Sequence, residues 1–358
     1  MKILFSGGGT LGPVTPLLAI RDVIDSQHKD VSYIWIATKH GPERVLIEQS
    51  DIPCFFISSG KFRRYMSFLN IIDIFRVVIG FFQSFRILWR EQPDMCISAG
   101  AFISVPVHAA AWLLGIPTWI HSQDVQVGLS SKLMAPWAVH ITTALAKNVE
   151  DFSAKKTEWL GNPIRKDILN ADSVEAKKIF HISDDRPVIL AMGGGTGSLK
   201  VNQLVVEALD HIKDMTHVIH VSGNERPQEL VQRAEKLYDN YHLYPFLSHD
   251  MKYAYACADI VITRGGFGSL SEIAALSKTA IVIPKHGHQF VNVSFLQQVE
   301  AIVVLDERVS SGLQLAGIIK DLLHDDNKRS RMSARMHEML PPADDKKILR
   351  IIDKLIRM

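Results

Sequence analysis

Three kinds of side chain able to do chemistry are concentrated between Ala258 and Gln298. An apolar run, Ile260 to Thr263, ends in Arg264 and a turn rich in glycine (Gly265, Gly266, Gly268). Glu272 follows in the first turn of the helix that such a sequence opens. A second apolar run, Ala280 to Pro284, then leads into a polar loop from His286 to Asn292. An arginine at a strand end presents a planar fork of donors to a base or a phosphate. A carboxylate beside it can accept two hydrogen bonds from vicinal ribose hydroxyls. The amides of Gln289 and Asn292 read sugar hydroxyls without bringing charge. Each feature has a plainer alternative: Ser269-x-x-Glu272 also spells a capping box, Arg264 a surface charge, and 286–292 an ordinary polar loop.

Such groups need elements that hold them at one edge. Short apolar runs alternate with helical stretches throughout: Lys2–Phe5, Val31–Ala37, Cys54–Ile57, Met95–Ser98, Thr118–His121 and His140–Thr143 in the first half. In the second half they are Val188–Met192, His217–Val221, Leu243–Phe246, Ile260–Thr263, Ala280–Pro284 and Ile302–Leu305. This alternation predicts α/β architecture with parallel sheets, whose ligands gather at the carboxyl ends of the strands. Each half opens with strand, glycine turn and helix: Gly7–Gly12 in the first, Gly193–Ser198 in the second. Two similar halves with a glycine turn apiece predict a bilobal enzyme with its site in a cleft.

The first turn satisfies GxGxxG, and three readings stand. It is a tight turn without a ligand, a cradle for phosphate on a helix N-terminus, or a dinucleotide site. Against the last, the second strand ends Ala37-Thr38-Lys39 with no carboxylate for a ribose, although Lys39 could meet a 2′-phosphate. The second turn lacks the Gly-Lys-Ser/Thr ending of a nucleotide triphosphate loop. At the end of another strand, His121 and Asp124 are candidates for proton transfer, with hydrogen bonding and helix capping as the plain alternatives.

The totals set limits. A chain of 358 residues suits two domains of roughly 150 to 200 residues. Gly161-Asn162-Pro163 marks a turn between them, giving domains 1–162 and 163–342, with an amphipathic helix at 343–358 expected to pack back on the first domain. A net charge of +2 gives no general signal for nucleic acid. Cys54, Cys96 and Cys257 stand singly, which argues for a reducing cytoplasm and against disulfides or zinc. The N-terminus reads as a strand entering a turn, not a signal peptide, and no apolar run nears the ~18 residues of a membrane span.

One stretch departs from this balance. Residues 61–90 hold six basic residues and one acidic residue, interleaved with aromatics. Helical spacing of the apolar positions predicts a helix, either a core helix with a basic edge or a surface patch that dips into an anionic bilayer. Phe62, Arg63, Arg64, Phe75, Phe82 and Trp89 are the residues for the second reading.

In order and spacing, several short pieces together resemble the MurG family over essentially the whole chain. They are Gly8-Gly9-Thr10 with Pro16, Gly100 through Pro106, His121-x-Gln123, Gly161 through Arg165 and Gly193-Gly194 through Asn202. Asp250-Met251, Ala258-Asp259, Arg264-x-Gly266, Ser271 through Ala274 and Gln289-x-x-Asn292 complete the set. The resemblance implies a GT-B glycosyltransferase, two Rossmann-like domains facing a cleft. It would move N-acetylglucosamine from UDP to a polyprenyl-diphosphoryl N-acetylmuramyl-pentapeptide in peptidoglycan synthesis, at the inner face of the cell membrane and alongside the cell-wall or division machinery. No cofactor and no catalytic metal are implied, in keeping with the lack of Asp-x-Asp.

By the same resemblance Glu272 holds the ribose, while Leu247 and Arg264 frame the uracil. Arg165, Gly195 and Thr196 face the diphosphate, and Gln289 and Asn292 contact the N-acetylglucosamine. Phe267, Gly268, Ser269, Leu270 and Ser271 complete the donor side. Gly8, Gly9, Thr10, Leu11 and Gly12, with Asp124, form the acceptor side. The family's His at the end of the first glycine loop is Pro13 here, its His-Glu-Gln-Asn is His121-Ser122-Gln123-Asp124, its loop Tyr is Phe102, and a Ser of the second loop is Gly195. Proton removal would therefore fall to Asp124, assisted or oriented by His121. Other lipid acceptors and a degenerate UDP-sugar-binding homologue are the alternatives.

Overall fold

The computed structural model describes residues 1–39, 41, 43–60, 68–224 and 226–357, leaving aside the side chains of 68–72 and 288. The chain forms two compact units, Met1–Arg165 with Pro342–Met358, and Lys166–Pro341. The first contains β1 (Lys2–Ser6), β2 (Ser32–Ala37), β3 (Cys54–Phe56), β4 (Met95–Ser98), β5 (Thr118–Ser122), β6 (His140–Thr143) and β7 (Thr157–Trp159). They make one parallel sheet in the order β3-β2-β1-β4-β5-β6-β7. The second contains β8 (Val188–Met192), β9 (His217–Val221), β10 (Tyr241–Tyr244), β11 (Ile260–Thr263), β12 (Thr279–Val282) and β13 (Val303–Val304). Its parallel order is β10-β9-β8-β11-β12-β13.

The central strands read as unbroken apolar runs because both faces of a parallel sheet are covered by helices. Ile3, Leu4 and Phe5 of β1, and Val188 through Ala191 of β8, have no exposure at all. The α/β expectation holds. β7 was absent from the sequence reading, because a three-residue edge strand pairing only with β6 carries no period of its own. β10 begins earlier than expected and stops before Pro245, which has no N–H to continue the ladder.

The C-terminal helix Asp345–Ile356 completes the first unit. Its stripe Ile348, Ile351, Ile352 and Leu355 joins the core built from Leu17, Ile20, Trp35 and Trp119. Each such side chain contributes ~2 kcal/mol relative to exposure. Charge seals the contact: Arg350 pairs with Glu158 of β7, which also meets His140 at 3.0 Å.

Candidate active site

In each sheet the strand order reverses beside the first strand of the unit, and such a switch point opens a crevice at the carboxyl edge. In the second unit the switch lies between β8 and β11. The glycine turn after β8 and the Arg264 turn after β11 therefore flank one opening. Gly194 (φ 81°) and Gly197 (φ 72°) take the left-handed conformations that make the turn sharp. Ser198 then caps the 14-residue helix Leu199–Ile212, accepting from Val201 N at 3.3 Å.

Arg264 ties these pieces together. Its Nη2 donates to Ser198 Oγ, and its Nη1 donates to the Ile283 carbonyl at 2.9 Å and meets Glu307 Oε2 at 2.6 Å. The guanidinium is thus a strut as well as a charge, fixed across the ends of β8, β11 and β12. Glu307, which the sequence reading passed over, is its counter-ion.

Glu272 accepts from Tyr255 Oη at 3.0 Å, and that hydroxyl also lies 3.7 Å from Met192 Sδ at the end of β8. The carboxylate is thereby aimed at the switch point. It is the sixth residue of the helix Phe267–Ala275, not in the first turn as expected. The capping box does not form either: the cap is Gly266, and no side chain closes the end. The backbone N–H groups at this start, Phe267, Gly268 and Ser269, are what the helix presents to a ligand. Leu270 and Ser271 face the core instead, and Ser271 Oγ bonds back to the Phe267 carbonyl at 2.9 Å. Their side chains are therefore removed from the donor contacts.

The expected polar loop at 286–292 is a helix from His288, entered through Gly287 at φ 108°. Gln289 Oε1 accepts from Lys285 N at 2.9 Å, and Asn292 Nδ2 donates to the Gly265 carbonyl at 3.4 Å. The approach needs glycine: a Cβ on Gly265 would lie 2.8 Å from Val293 Cγ1 and 2.9 Å from the Gln289 carbonyl. Both amides are so held beside the Arg264 turn. Leu247, half-buried, follows β10, while Gly195 stands exposed at the glycine turn with Thr196 half-buried behind it.

A second arginine was also missed. Arg226, in the loop after β9, donates from Nε to the Gly197 carbonyl at 3.2 Å, and among the described residues its two Nη groups make no further hydrogen bond or ion pair. Gln228 staples that loop, donating to the Gly223 and Arg226 carbonyls at 2.8 and 2.7 Å and accepting from Ser222 Oγ at 2.8 Å. Nothing near Arg226 in the sequence marks it, because its partner turn lies one strand back.

The first unit holds the other candidates. Gly9 (φ 81°) makes the turn after β1, but its N–H donates to Glu43 Oε1 at 2.9 Å. That amide is turned to a protein carboxylate, so the phosphate-cradle reading loses one of its donors. Thr10 is exposed, with Leu11 and Gly12 half-exposed. Gln123 braces the same turn, donating to the Gly12 carbonyl at 3.0 Å and the Ala99 carbonyl at 3.3 Å.

His121 is fully buried, with Nδ1 at 3.0 Å from Thr142 Oγ1 and Nε2 at 3.0 Å from Asn162 Oδ1. Asn162 Oδ1 only accepts, so Nε2 carries the proton and Nδ1 accepts from the Thr142 hydroxyl. Trp119 Nε1 in turn donates to that hydroxyl at 2.9 Å. Burial lowers the ring's pKa to about 4. The proton-accepting role expected of His121 is corrected on this geometry: neither nitrogen is free. It is a peg for Asn162, whose carbonyl accepts from Ala343 N at 2.9 Å and so fixes the returning C-terminal segment. Asp124 is half-exposed just past the end of β5. It does not cap the helix Leu129–Met134, whose cap is Gly128. Arg165 ends the N-terminal stretch of this unit, half-buried with its Nε enclosed.

Along the helix Phe68–Glu91, Ile74, Phe75, Val78, Ile79, Phe82 and Trp89 are exposed, Phe75 and Phe82 at 65% and Trp89 at 66%. The same helix packs Phe81, Phe85, Ile87 and Leu88 into the core, so one face is buried and this stripe is not. Phe62, Arg63 and Arg64 lie outside the described residues. No described helix is long and apolar enough to cross a membrane, and no described cluster of His, Cys, Asp or Glu is placed to hold a metal ion.

Comparison with known proteins agrees with this arrangement. Residues 3–143 match the glycosyltransferase family 28 N-terminal domain and residues 188–346 its C-terminal domain. A UDP-N-acetylglucosamine–N-acetylmuramyl-(pentapeptide) pyrophosphoryl-undecaprenol N-acetylglucosamine transferase of Shouchella clausii is 36% identical over 79% of this chain and 78% of its own length. The enzyme of that name from Clostridium botulinum is 33% identical over 86% of both chains. Among solved structures, Acinetobacter baumannii MurG superposes with a TM-score of 0.70 at 22% identity, over 100% of this chain and 99% of its own. UDP-GlcNAc 2-epimerase from Neisseria meningitidis, bound to UDP-GlcNAc, gives 0.68 at 14% identity over 99% and 100%. At those identities the likeness speaks for the fold alone; the curated relatives speak for the family. With paired α/β units, a carboxylate and two amides beside an arginine-braced glycine turn, and identity over most of its length, the chain belongs to the MurG family of glycosyltransferases.

Proposed function

We propose that the chain transfers N-acetylglucosamine from UDP to a polyprenyl-diphosphoryl N-acetylmuramyl-pentapeptide, as the names of its relatives state for them. The observation that carries the reading is the cluster at the β8/β11 switch point, where Arg264 after β11, Glu272 on one helix and Gln289 with Asn292 on another come to one edge. A carboxylate for ribose hydroxyls, an arginine for the base and uncharged amides for the sugar suit a nucleotide sugar. Leu247 lies against the uracil, and the N–H groups of Phe267, Gly268 and Ser269 close the donor side.

The acceptor hydroxyl attacks the anomeric carbon in line, the bond to the UDP oxygen breaks, and the configuration inverts. Negative charge grows on the leaving diphosphate. The amides of Gly195 and Thr196 in the turn before the helix Leu199–Ile212, with Arg226 beside them, stabilise it there, and the family resemblance assigns Arg165 to the same diphosphate. The hydroxyl proton passes to Asp124. Asp124 follows β5 on that edge and is half-exposed, whereas Pro13 carries no titratable group and His121 is buried. Asp124→Asn lowers turnover at least ~100-fold, the low end for losing a general base; unchanged turnover removes it from the role.

The acceptor carries a lipid, and the exposed stripe of Phe75, Phe82 and Trp89 with Arg76, Arg86 and Arg90 suits docking on an anionic bilayer. The working place of the protein is then the inner membrane face, close to the cell-wall machinery. The deciding experiment supplies UDP-N-acetylglucosamine and a short-chain lipid-linked muramyl-pentapeptide with metal chelated, and follows UDP release. Release that depends on the acceptor supports the transferase. Donor binding without release leaves the degenerate homologue, or another lipid acceptor.

A further inference from the structure

The buried carboxylate behind the first glycine turn has no place in the chemistry above. Glu43 begins the helix Glu43–Glu48 and has no exposure. Its Oε1 accepts from Gly9 N at 2.9 Å, from Thr38 N at 3.3 Å and from Thr38 Oγ1. Among the described residues its buried Oε2 has no hydrogen-bond partner and no cation pairs with it. Room is made by the absence of two side chains. A Cβ on Gly8 would lie 2.5 Å from Oε1, and one on Gly41 would overlap the carboxylate.

A carboxylate enclosed without a counter-ion is costly unless donors converge on it. Among the described residues the convergence is on one oxygen, and the donors come from two different strand ends. Gly9 belongs to the turn after β1, and Thr38 directly follows β2. A residue that served only to fill space would be apolar. This one joins the two strand-end segments through charge-assisted hydrogen bonds, the strong kind.

We propose that Glu43 is the positioning residue of the acceptor-side turn. Its carboxylate draws the Gly9 and Thr38 amides inward and thereby fixes the direction in which Thr10, Leu11 and Gly12 meet the acceptor. The proposal rests on the acceptor-side reading of that turn given above. Glu43 touches no reacting atom; it acts through Gly9. Without it the turn loses its anchor, while the second unit, which holds the donor, is untouched.

Two readouts test this on the full-length protein. In Glu43→Ala the KM for the lipid-linked acceptor rises about 10-fold, within the range for losing hydrogen bonds to a charged group, while donor affinity stays within about 2-fold. Glu43→Gln keeps an accepting oxygen for Gly9 and recovers most of the loss. Thr38→Val removes one donor and gives a smaller rise. An unchanged acceptor KM in Glu43→Ala, or donor and acceptor affinities falling together, overturns the proposal. The second readout is amide hydrogen exchange over residues 6–12, which needs no turnover. It accelerates in Glu43→Ala and not in Glu43→Gln; equal protection in all three proteins sinks the anchor. Should the wild type release no UDP with any muramyl acceptor, the transferase reading fails while the exchange experiment still decides whether Glu43 holds the turn.

Discussion

The two glycine turns start from the same local pattern and end in opposite electrostatic settings. The turn after β1 is backed by the Glu43 carboxylate, which takes the Gly9 N–H. The turn after β8 is flanked by Arg226 on Gly197 and by Arg264 on Ser198. Both have left-handed glycines and both precede a helix, so both offer amides and a positive dipole end. What differs is the charge brought from elsewhere in the chain. Two arginines stand beside the second turn, and one amide is already taken by a carboxylate at the first. A glycine pattern therefore specifies a bend, and distant residues specify what the bend is for.

The contrast can be tested by steric means first. Gly197 packs its Cα against Gly223 and the Ser222 carbonyl, so Gly197→Ala drives a methyl into backbone as well as straining φ. Overpacking and a left-handed alanine together cost about 3 kcal/mol in urea unfolding. A loss below about 1 kcal/mol would mean that this turn opens freely. Next comes charge. Arg264→Ala lowers kcat/KM for the donor ~100-fold, at the upper end for losing a charged hydrogen-bond donor to the base. An equal fall for acceptor and donor would show that Arg264 braces the fold only.

A third test uses acid. His121 in the first unit and His220 in the second are both buried with both nitrogens bonded, His220 to Tyr241 Oη at 2.6 Å and Asn202 Oδ1 at 3.1 Å. Burial lowers their pKa from 6.5 to about 4 and about 3. Both lie below the unfolded value, so the folded protein binds fewer protons. Stability is full above pH 6.5 and falls as the pH drops towards the folded values. Between pH 7 and 5 each ring withdraws about 2 kcal/mol. Urea midpoints that do not move over this interval would contradict the burial of both. His121→Gln should flatten the first unit's share. Smallest is Gly9→Ala, where a Cβ meets nothing within 4 Å and only φ is strained. It costs about 1 kcal/mol, and a loss as large as that of Gly197→Ala would erase the steric contrast.

Much of the architecture was legible. Alternating apolar runs placed β1, β4, β8 and β9 and with them the α/β class, because strands buried on both faces must be apolar throughout. The donor-side candidates were legible as types at a strand end. Their bracing was not. Ser198 is 66 residues from Arg264, and Glu307 is 43. The start of the helix at His288 was hidden because its polar residues read as a loop, and its close approach to Gly265 comes from another segment. His121 read as a candidate for proton transfer because it ends a strand at the carboxyl edge; its partners, Thr142 and Asn162, come from other segments.

By itself the sequence determined the bends and the strands, since glycine conformations and apolar runs are properties of neighbouring residues. It also determined the family, because identity over most of the length is a linear property. Only the tertiary structure decided which turn is backed by a carboxylate and which by arginines, and which polar groups are free. Hydrogen bonds and burial depend on partners that the chain brings together only when its parallel strands are laid side by side.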